Sequence, residues 1–356
     1  MNFTKVTNFL ESLQDAGIPG ADLAVYIKGK EVYRHRTGFA DLEKHKPVAP
    51  DTLFPIYSMT KVITCVSALR LLEEGLFTLN DPLSDYLPEF KKMEVRQVRD
   101  NGEVHTAPAV NTLRIVDLFT MSSGLTYNIT PNLEKLEKKT KGNYTLEEFS
   151  AAIAKDPLYF EPGTRWHYGF SHDILGRLIE VLSGKTLGEY FDDNIFIPLE
   201  MTDTFFRLPV NKESRIVSCY SYDLKKKTYS APEILPIRFD LDCKYESGGG
   251  GLISTVDDYA KFANILCAGG TGNAGTKSGT YRILSKATIE LMRTNHLDDT
   301  RMQDYNWIHH SGYGYGLGVR TMVDKAAGGS NSSIGEYGWS GMLGTFMLID
   351  PAYDLT

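Results

Sequence analysis

The chain has 356 residues, 42% hydrophobic and 23% charged, enough for a large core in one big or two smaller globular domains. Its formal net charge is −7, and the lysine-rich pieces Glu134 to Lys141 and Lys225 to Lys227 are short and mixed with acids, which argues against a nucleic-acid binder. Neither a window of about 18 apolar residues nor the apolar core of a signal peptide is found, so no membrane span and no secretion signal are expected.

The first element is an amphipathic helix with Phe3, Val6, Leu10 and Leu13 on one face and a stop at Gly17 and Pro19. From Ala21 to Asp41 apolar and polar residues alternate on either side of Lys28-Gly29-Lys30, the pattern of a β-hairpin. The stretch Asp51 to Leu72 leads through Phe54, Pro55, Ile56 and Tyr57 into a helix with Val62, Cys65, Val66, Leu69 and Leu72 at core spacing. Helical periodicity dominates from about Ser58 to Phe239, with capped segments at Thr112 to Met121, Thr145 to Lys155, Asp173 to Ser183 and Leu187 to Ile195. A glycine run, Gly248 to Gly251, then precedes a short strand, Leu252 to Ser254, and a helix from Val256 to Leu266. No Gly-Lys-Ser/Thr follows that run, so it reads as tight backbone packing rather than a phosphate loop. A helix from about Ser285 to Thr294 and two strands, Tyr313 to Val323 and Glu336 to Ile349, follow.

Strands at both ends with helices between predict an α/β (α+β) fold: an antiparallel sheet built from both chain ends, flanked by helices, with a helical region inserted in the middle. The expected division is a sheet domain of residues 1–57 and 245–356 and a mostly helical domain of residues 58–244, with the active site at their junction. Cys65, Cys219, Cys243 and Cys267 lie far apart without a CxxC pair, which suggests reduced thiols and a cytoplasmic enzyme. His309-His310 is the only histidine pair, and without HExxH or a Cys/His cluster no metal site and no cofactor are expected.

The chemistry centres on Ser58-Met59-Thr60-Lys61. At helical spacing residues i and i+3 share a face, so the Lys61 amine can reach the Ser58 hydroxyl, and a serine beside a base is an activated nucleophile. The alternative is a helix start with a solvated lysine. Against it, Lys61 stands among Ile56, Tyr57, Met59 and Val62, where burying an unpaired ammonium is costly; desolvation is expected to lower its pKa and make it usable as a base.

Three segments in order resemble the serine β-lactamase and D-Ala-D-Ala peptidase superfamily, which combines S-x-x-K with a tyrosine-centred second motif and a K-T-G-like third. They are Ser58 to Lys61, the stretch Trp166 to Gly176 around Tyr168, and Trp339-Ser340-Gly341 followed by Thr345-Phe346 and Asp350-Pro351. Phe170 stands where class C β-lactamases carry Asn, Asp173-Ile174-Leu175-Gly176 is kept, and Trp339 replaces the usual Lys or His. These departures resemble the family VIII carboxylesterases and related acyltransferases. Asp117 to Tyr127 and Ser247 to Gly270 are also similar to stretches of the family. Members normally continue past the Asp-Pro turn with a further strand and a long helix. The expectation is therefore a native chain longer than this one, or another element covering the sheet edge.

The resemblance implies a serine hydrolase cleaving small neutral esters through an acyl-enzyme on Ser58, with Lys61 and Tyr168 as the candidate bases. A charged Lys61 can stabilise a Tyr168 phenolate; a neutral one can take the proton itself. The backbone amides of Ser58 and Met342 are expected to form the oxyanion hole, Gly341 to let the strand approach the substrate, and Trp339 and Ser340 to contact it, Trp339 as an apolar wall. The implied partner is a small-molecule ester or acyl substrate. The alternatives are a β-lactamase, a D-amino-acid peptidase or an acyltransferase of the same superfamily, and a member that binds without turnover. Loop Asp304 to Tyr315 is aromatic enough to line a pocket.

Overall fold

The structure is a computed structural model that describes residues 1–99, 101–232, 238–272, 279–306 and 310–356. Helix α1 (Thr4–Ser12) buries Leu10 and lies on the hairpin of β1 (Gly20–Ile27) and β2 (Lys30–Asp41). The hairpin turns at Lys28 and Gly29, whose φ values of +52° and +69° are both left-handed. That backbone matches the twist of the paired strands, so Ile27 opposes Lys30 where the sequence pattern places the turn.

The two long strands expected near the end of the chain are each a hairpin. The first is β3 (Tyr313–Tyr315) with β4 (Arg320–Met322); the second is β5 (Tyr337–Ser340) with β6 (Phe346–Ile349). The reversals fall at Gly316 to Val319 and Gly341 to Thr345, each closed by a backbone bond of 2.7 Å. Apolar residues continue through both turns, which disguises them as single strands. The four strands pair in chain order, all antiparallel. Tyr26 exchanges backbone bonds of 2.8 and 3.0 Å with Thr356, and Leu355 bridges both Ile27 and Asp350. These links join the N-terminal hairpin to the later strands, so the sheet draws on both ends of the chain.

Helix α2 (Thr60–Glu73) is the centre of the molecule. Every residue from Thr60 to Leu69 is buried, so the helix is enclosed on all sides rather than along one apolar stripe, with Thr60, Lys61, Thr64 and Ser67 as its buried polar residues. It packs against α3 (Ser171–Ser183), while α4 (Val256–Cys267), capped by Thr255, packs on β1 and β6. Two hairpins in the middle were not legible as helical periodicity: Glu94–Val98 with Val104–Pro108, and Ser221–Asp223 with Thr228–Ser230. Both are short, mostly exposed and polar, so their alternation is weak. The expected strand at Leu252 to Ser254 is the pair Ile253–Ser254, bonded to Phe54–Pro55 just before Ser58.

Candidate active site

Tyr57–Met59 form a 3-10 turn that feeds directly into α2. Tyr57 has φ +42°, a left-handed backbone that a bulky side chain holds only when its surroundings impose it. Its ring is 3% exposed and edge-on to Phe239, and Pro55 is held by pairing with Ile253. Ser58 is thus presented at a strained helix entrance anchored on both sides.

Lys61 is completely buried and donates to Ser58 Oγ at 3.2 Å, to the Tyr127 hydroxyl at 2.8 Å and to the Gly249 carbonyl. An ammonium has three N–H donors, and here each has an acceptor. Burial pushes the Lys61 amine down, but Tyr127, Tyr168 and Asp173 around it outweigh burial and hold it above its ordinary value. The expectation of a lowered pKa is therefore corrected: desolvation acts as argued and is overcome by the polar groups packed on the nitrogen. The glycine run explains part of this. A Cβ on Gly249 would lie 2.4 Å from Asp173 Oδ2, so only glycine brings that backbone between the ammonium and the carboxylate. Gly249 donates its N–H to Asp173 at 3.2 Å, and Asp173 also accepts from Tyr245 and Ser247 at 2.8 and 2.6 Å.

Tyr168 presents its ring face to Lys61, 4.7 Å from Nζ to the centroid, and its hydroxyl accepts from Trp339 Nε1 at 3.0 Å. Contacts thus link Ser58 to Lys61, Lys61 to Tyr168 and Tyr168 to Trp339, although these residues come from three separate stretches of chain. Trp339 is buried, with Tyr315 packed edge-on against it at 5.2 Å. Ser340 ends β5 exposed, and the Met342 side chain is exposed on the following turn. Gly341 makes its close approach to backbone rather than to open space. A Cβ there would lie 2.3 Å from the Ile56 carbonyl and 2.0 Å from Thr345 Oγ1, while Thr345 itself donates to Ile56 at 3.1 Å. The turn carrying Met342 is in this way clamped to Ile56, two residues before Ser58.

Tyr127 and the Gly249 carbonyl are the parts of the site that the sequence did not single out as such. Tyr127 closes the stretch Asp117 to Tyr127 noted for its resemblance, but no spacing rule connects it with Lys61. Its phenol is pushed up by burial, with Lys61 opposing. Phe170 packs on Tyr127 at 4.8 Å and on Phe149 at 5.0 Å, filling an apolar layer behind the tyrosines. Of loop 304–315, Tyr305 and Tyr315 are fully buried behind Trp166 and Trp339 rather than lining a pocket, and Trp307, Ile308 and His309 lie outside the described residues. Behind Lys61, Cys65 Sγ approaches His172 Nε2 at 3.5 Å. Burial raises the thiol and pulls the imidazole down to about 3, so the pair is neutral and no thiolate competes with Ser58. Among the described residues no group of three or more His, Cys, Asp or Glu side chains gathers as metal ligands, and no helix is long and apolar enough to cross a membrane.

The family model described as Beta-lactamase matches residues 6–356. Protein Rv1367c of Mycobacterium tuberculosis is 30% identical over 356 residues, covering 96% of this chain and 85% of the relative. Esterase EstB of Burkholderia gladioli is 27% identical over 365 residues, covering 98% of this chain and 87% of EstB. Among solved structures, EstCE1, described as a hydrolase with promiscuous acyltransferase activity, superposes with a TM-score of 0.78 at 22% identity, covering 99% of this chain and 91% of that one. Simvastatin synthase (LovD) from Aspergillus terreus superposes with a TM-score of 0.81 at 23% identity, covering 100% and 91%. At those identities the two superpositions speak for the fold.

Proposed function

The chain belongs to the beta-lactamase family, and from that premise we propose that it is a serine esterase cleaving small, neutral esters through an acyl-enzyme on Ser58. The observation that carries this reading is the bond from Trp339 Nε1 to the Tyr168 hydroxyl, beside a Ser58 held by Lys61 at 3.2 Å. The indole supplies a donor to the tyrosine without the positive charge that would hold a substrate carboxylate. The nucleophile machinery is retained while the anion partner is lost, which favours neutral esters over carboxylated β-lactams and peptides. The name of EstB supports the same choice.

In the proposed cycle Tyr168 acts as a phenolate and takes the Ser58 proton as Oγ attacks the ester carbonyl, becoming a neutral phenol. Lys61 stays an ammonium: it orients Ser58 and stabilises the phenolate before it takes the proton and again after it returns the proton to the leaving alcohol. The amides of Ser58 and Met342 are proposed to hold the oxyanion, with the Gly341 clamp on Ile56 fixing their spacing. Tyr168 returns the proton to the leaving alcohol, and water, activated by the same tyrosine, releases the acid. An acceptor alcohol in place of water makes the enzyme an acyltransferase, a second reading supported by the description of EstCE1. The four cysteines are all free thiols, in keeping with a cytoplasmic setting.

Hydrolysis of p-nitrophenyl butyrate by the purified protein beside Ser58→Ala tests the proposal. Turnover that disappears with Ser58, with an acyl adduct on the Ser58 peptide by mass spectrometry, is expected. Equal rates in both proteins would overturn it.

A further inference from the structure

A cleft of about 790 Å³ opens on the side of Tyr57, one residue before the nucleophile. Its apolar lining comes from Leu42, Pro55, Tyr57, Val217, Tyr229 and Phe239, with Cys219 beside them and Glu43 as the only ionised side chain among the lining residues described. The walls are tied together. Ser218 N donates to Ala40 at 2.8 Å, Val217 N to Leu53 at 3.0 Å, and Leu42 N to the Tyr220 hydroxyl at 2.9 Å. The hairpin that carries Tyr229 is thereby fixed against the end of β2 and the approach to Ser58, and the cleft is preformed.

The Tyr57 hydroxyl is buried and has no hydrogen-bond partner among the described residues. A buried phenol left unpaired costs free energy, and a ligand oxygen in the cleft relieves it. Among the described residues no cation lines the cleft, Glu43 disfavours an anion, and burial raises the Cys219 thiol so that it stays neutral. The lining therefore suits an uncharged, largely apolar group that carries one oxygen.

Building on the esterase reading, we infer that this cleft receives the long apolar arm of the ester substrate, with an oxygen of that arm bonded to the Tyr57 hydroxyl. The substrate class is then a neutral ester with a medium-length or aromatic chain rather than an acetate. The arm is either the acyl chain or the alcohol, and two substrate series separate them: p-nitrophenyl esters from acetyl to decanoyl, and alkyl butyrates from methyl to decyl.

The test compares wild type with Val217→Trp, which fills the cleft. In the series whose arm enters it, the ratio of kcat/KM for long over short chains is expected to fall at least tenfold in the variant. A parallel measurement needs no turnover: alkylation of Cys219 by iodoacetamide in the Ser58→Ala protein, read by peptide mass spectrometry, is expected to slow several-fold with decyl butyrate present. Unchanged ratios in both series together with unprotected Cys219 overturn the inference even if esters are hydrolysed. Protection of Cys219 without turnover in wild type upholds the cleft and counts against the esterase reading instead.

Discussion

The indole nitrogen of Trp339 donates to the hydroxyl oxygen of Tyr168 at 3.0 Å, across 171 residues of sequence. The Trp339 ring packs on Tyr315 as an apolar wall does, but its polar edge faces the proposed acid-base group. A Trp339→Phe variant keeps most of the wall and removes the donor. A net hydrogen bond is worth about 1 kcal/mol, so kcat is expected to fall roughly fivefold with little change in KM. A rise in KM alone would return Trp339 to the role of a wall. Trp339→His, which restores a partner for an anion, is expected to improve turnover of a carboxylated ester relative to its neutral methyl ester.

Lys61 is predicted to remain charged throughout the working range. Its folded-state pKa is raised above the ordinary value, so the stability it contributes is fully present below about 10.4 and is lost only as pH rises through the higher folded value. The 13Cε chemical shift of Lys61 should therefore stay at its ammonium position from pH 6 to about 9. Tyr127→Phe withdraws one of the three acceptors. A buried charge short of one bond costs roughly 1–3 kcal/mol or more, so this variant is expected to lower Tm and kcat together.

Acid stability should depend on two buried groups of opposite sign. His172 is held down to about 3 by burial and by Lys61, against about 6.5 unfolded; between these values the unfolded chain binds the extra proton, so stability is lost as pH falls through this window. Asp117 is pushed up to about 6 by burial, so the folded chain binds the extra proton between its unfolded value of about 3.9 and that point, and stability falls as pH rises there. Asp117→Asn keeps an oxygen to accept from the Arg114 amide and leaves His172 unopposed. Urea midpoints measured from pH 4 to 6 should climb more steeply in this variant than in wild type.

Gly341→Ala forces a methyl against the Ile56 carbonyl and Thr345 Oγ1. Moving the turn off Ile56 is expected to cost about 1–3 kcal/mol in stability. It should also reduce kcat more than tenfold, because the proposed oxyanion donors are spaced by that clamp. Wild-type kcat in a well-folded Gly341→Ala protein would separate the clamp from catalysis.

Much of the frame was legible from local pattern. The Lys28-Gly29 turn, the helix that carries Lys61, the capped helix at Thr145, the helix from Val256, and the glycine run as packing rather than a phosphate loop all follow from rules that act over a few residues. Where such rules misled, the cause was also local. The apolar residues of Tyr313 to Met322 and Tyr337 to Ile349 run on through their turns, so two hairpins resembled two strands.

The sequence by itself determined that a serine and a lysine stand within reach of each other at the entrance of a helix, because a spacing of three residues needs no distant partner. Only the tertiary structure decided what that lysine is. Tyr127, Tyr168 and Asp173 are brought to it from 66, 107 and 112 residues away, and together they outweigh the desolvation that sequence reasoning could foresee. Charge state depends on the sum of all groups within a few ångströms, and that sum exists only once the chain has closed around Lys61.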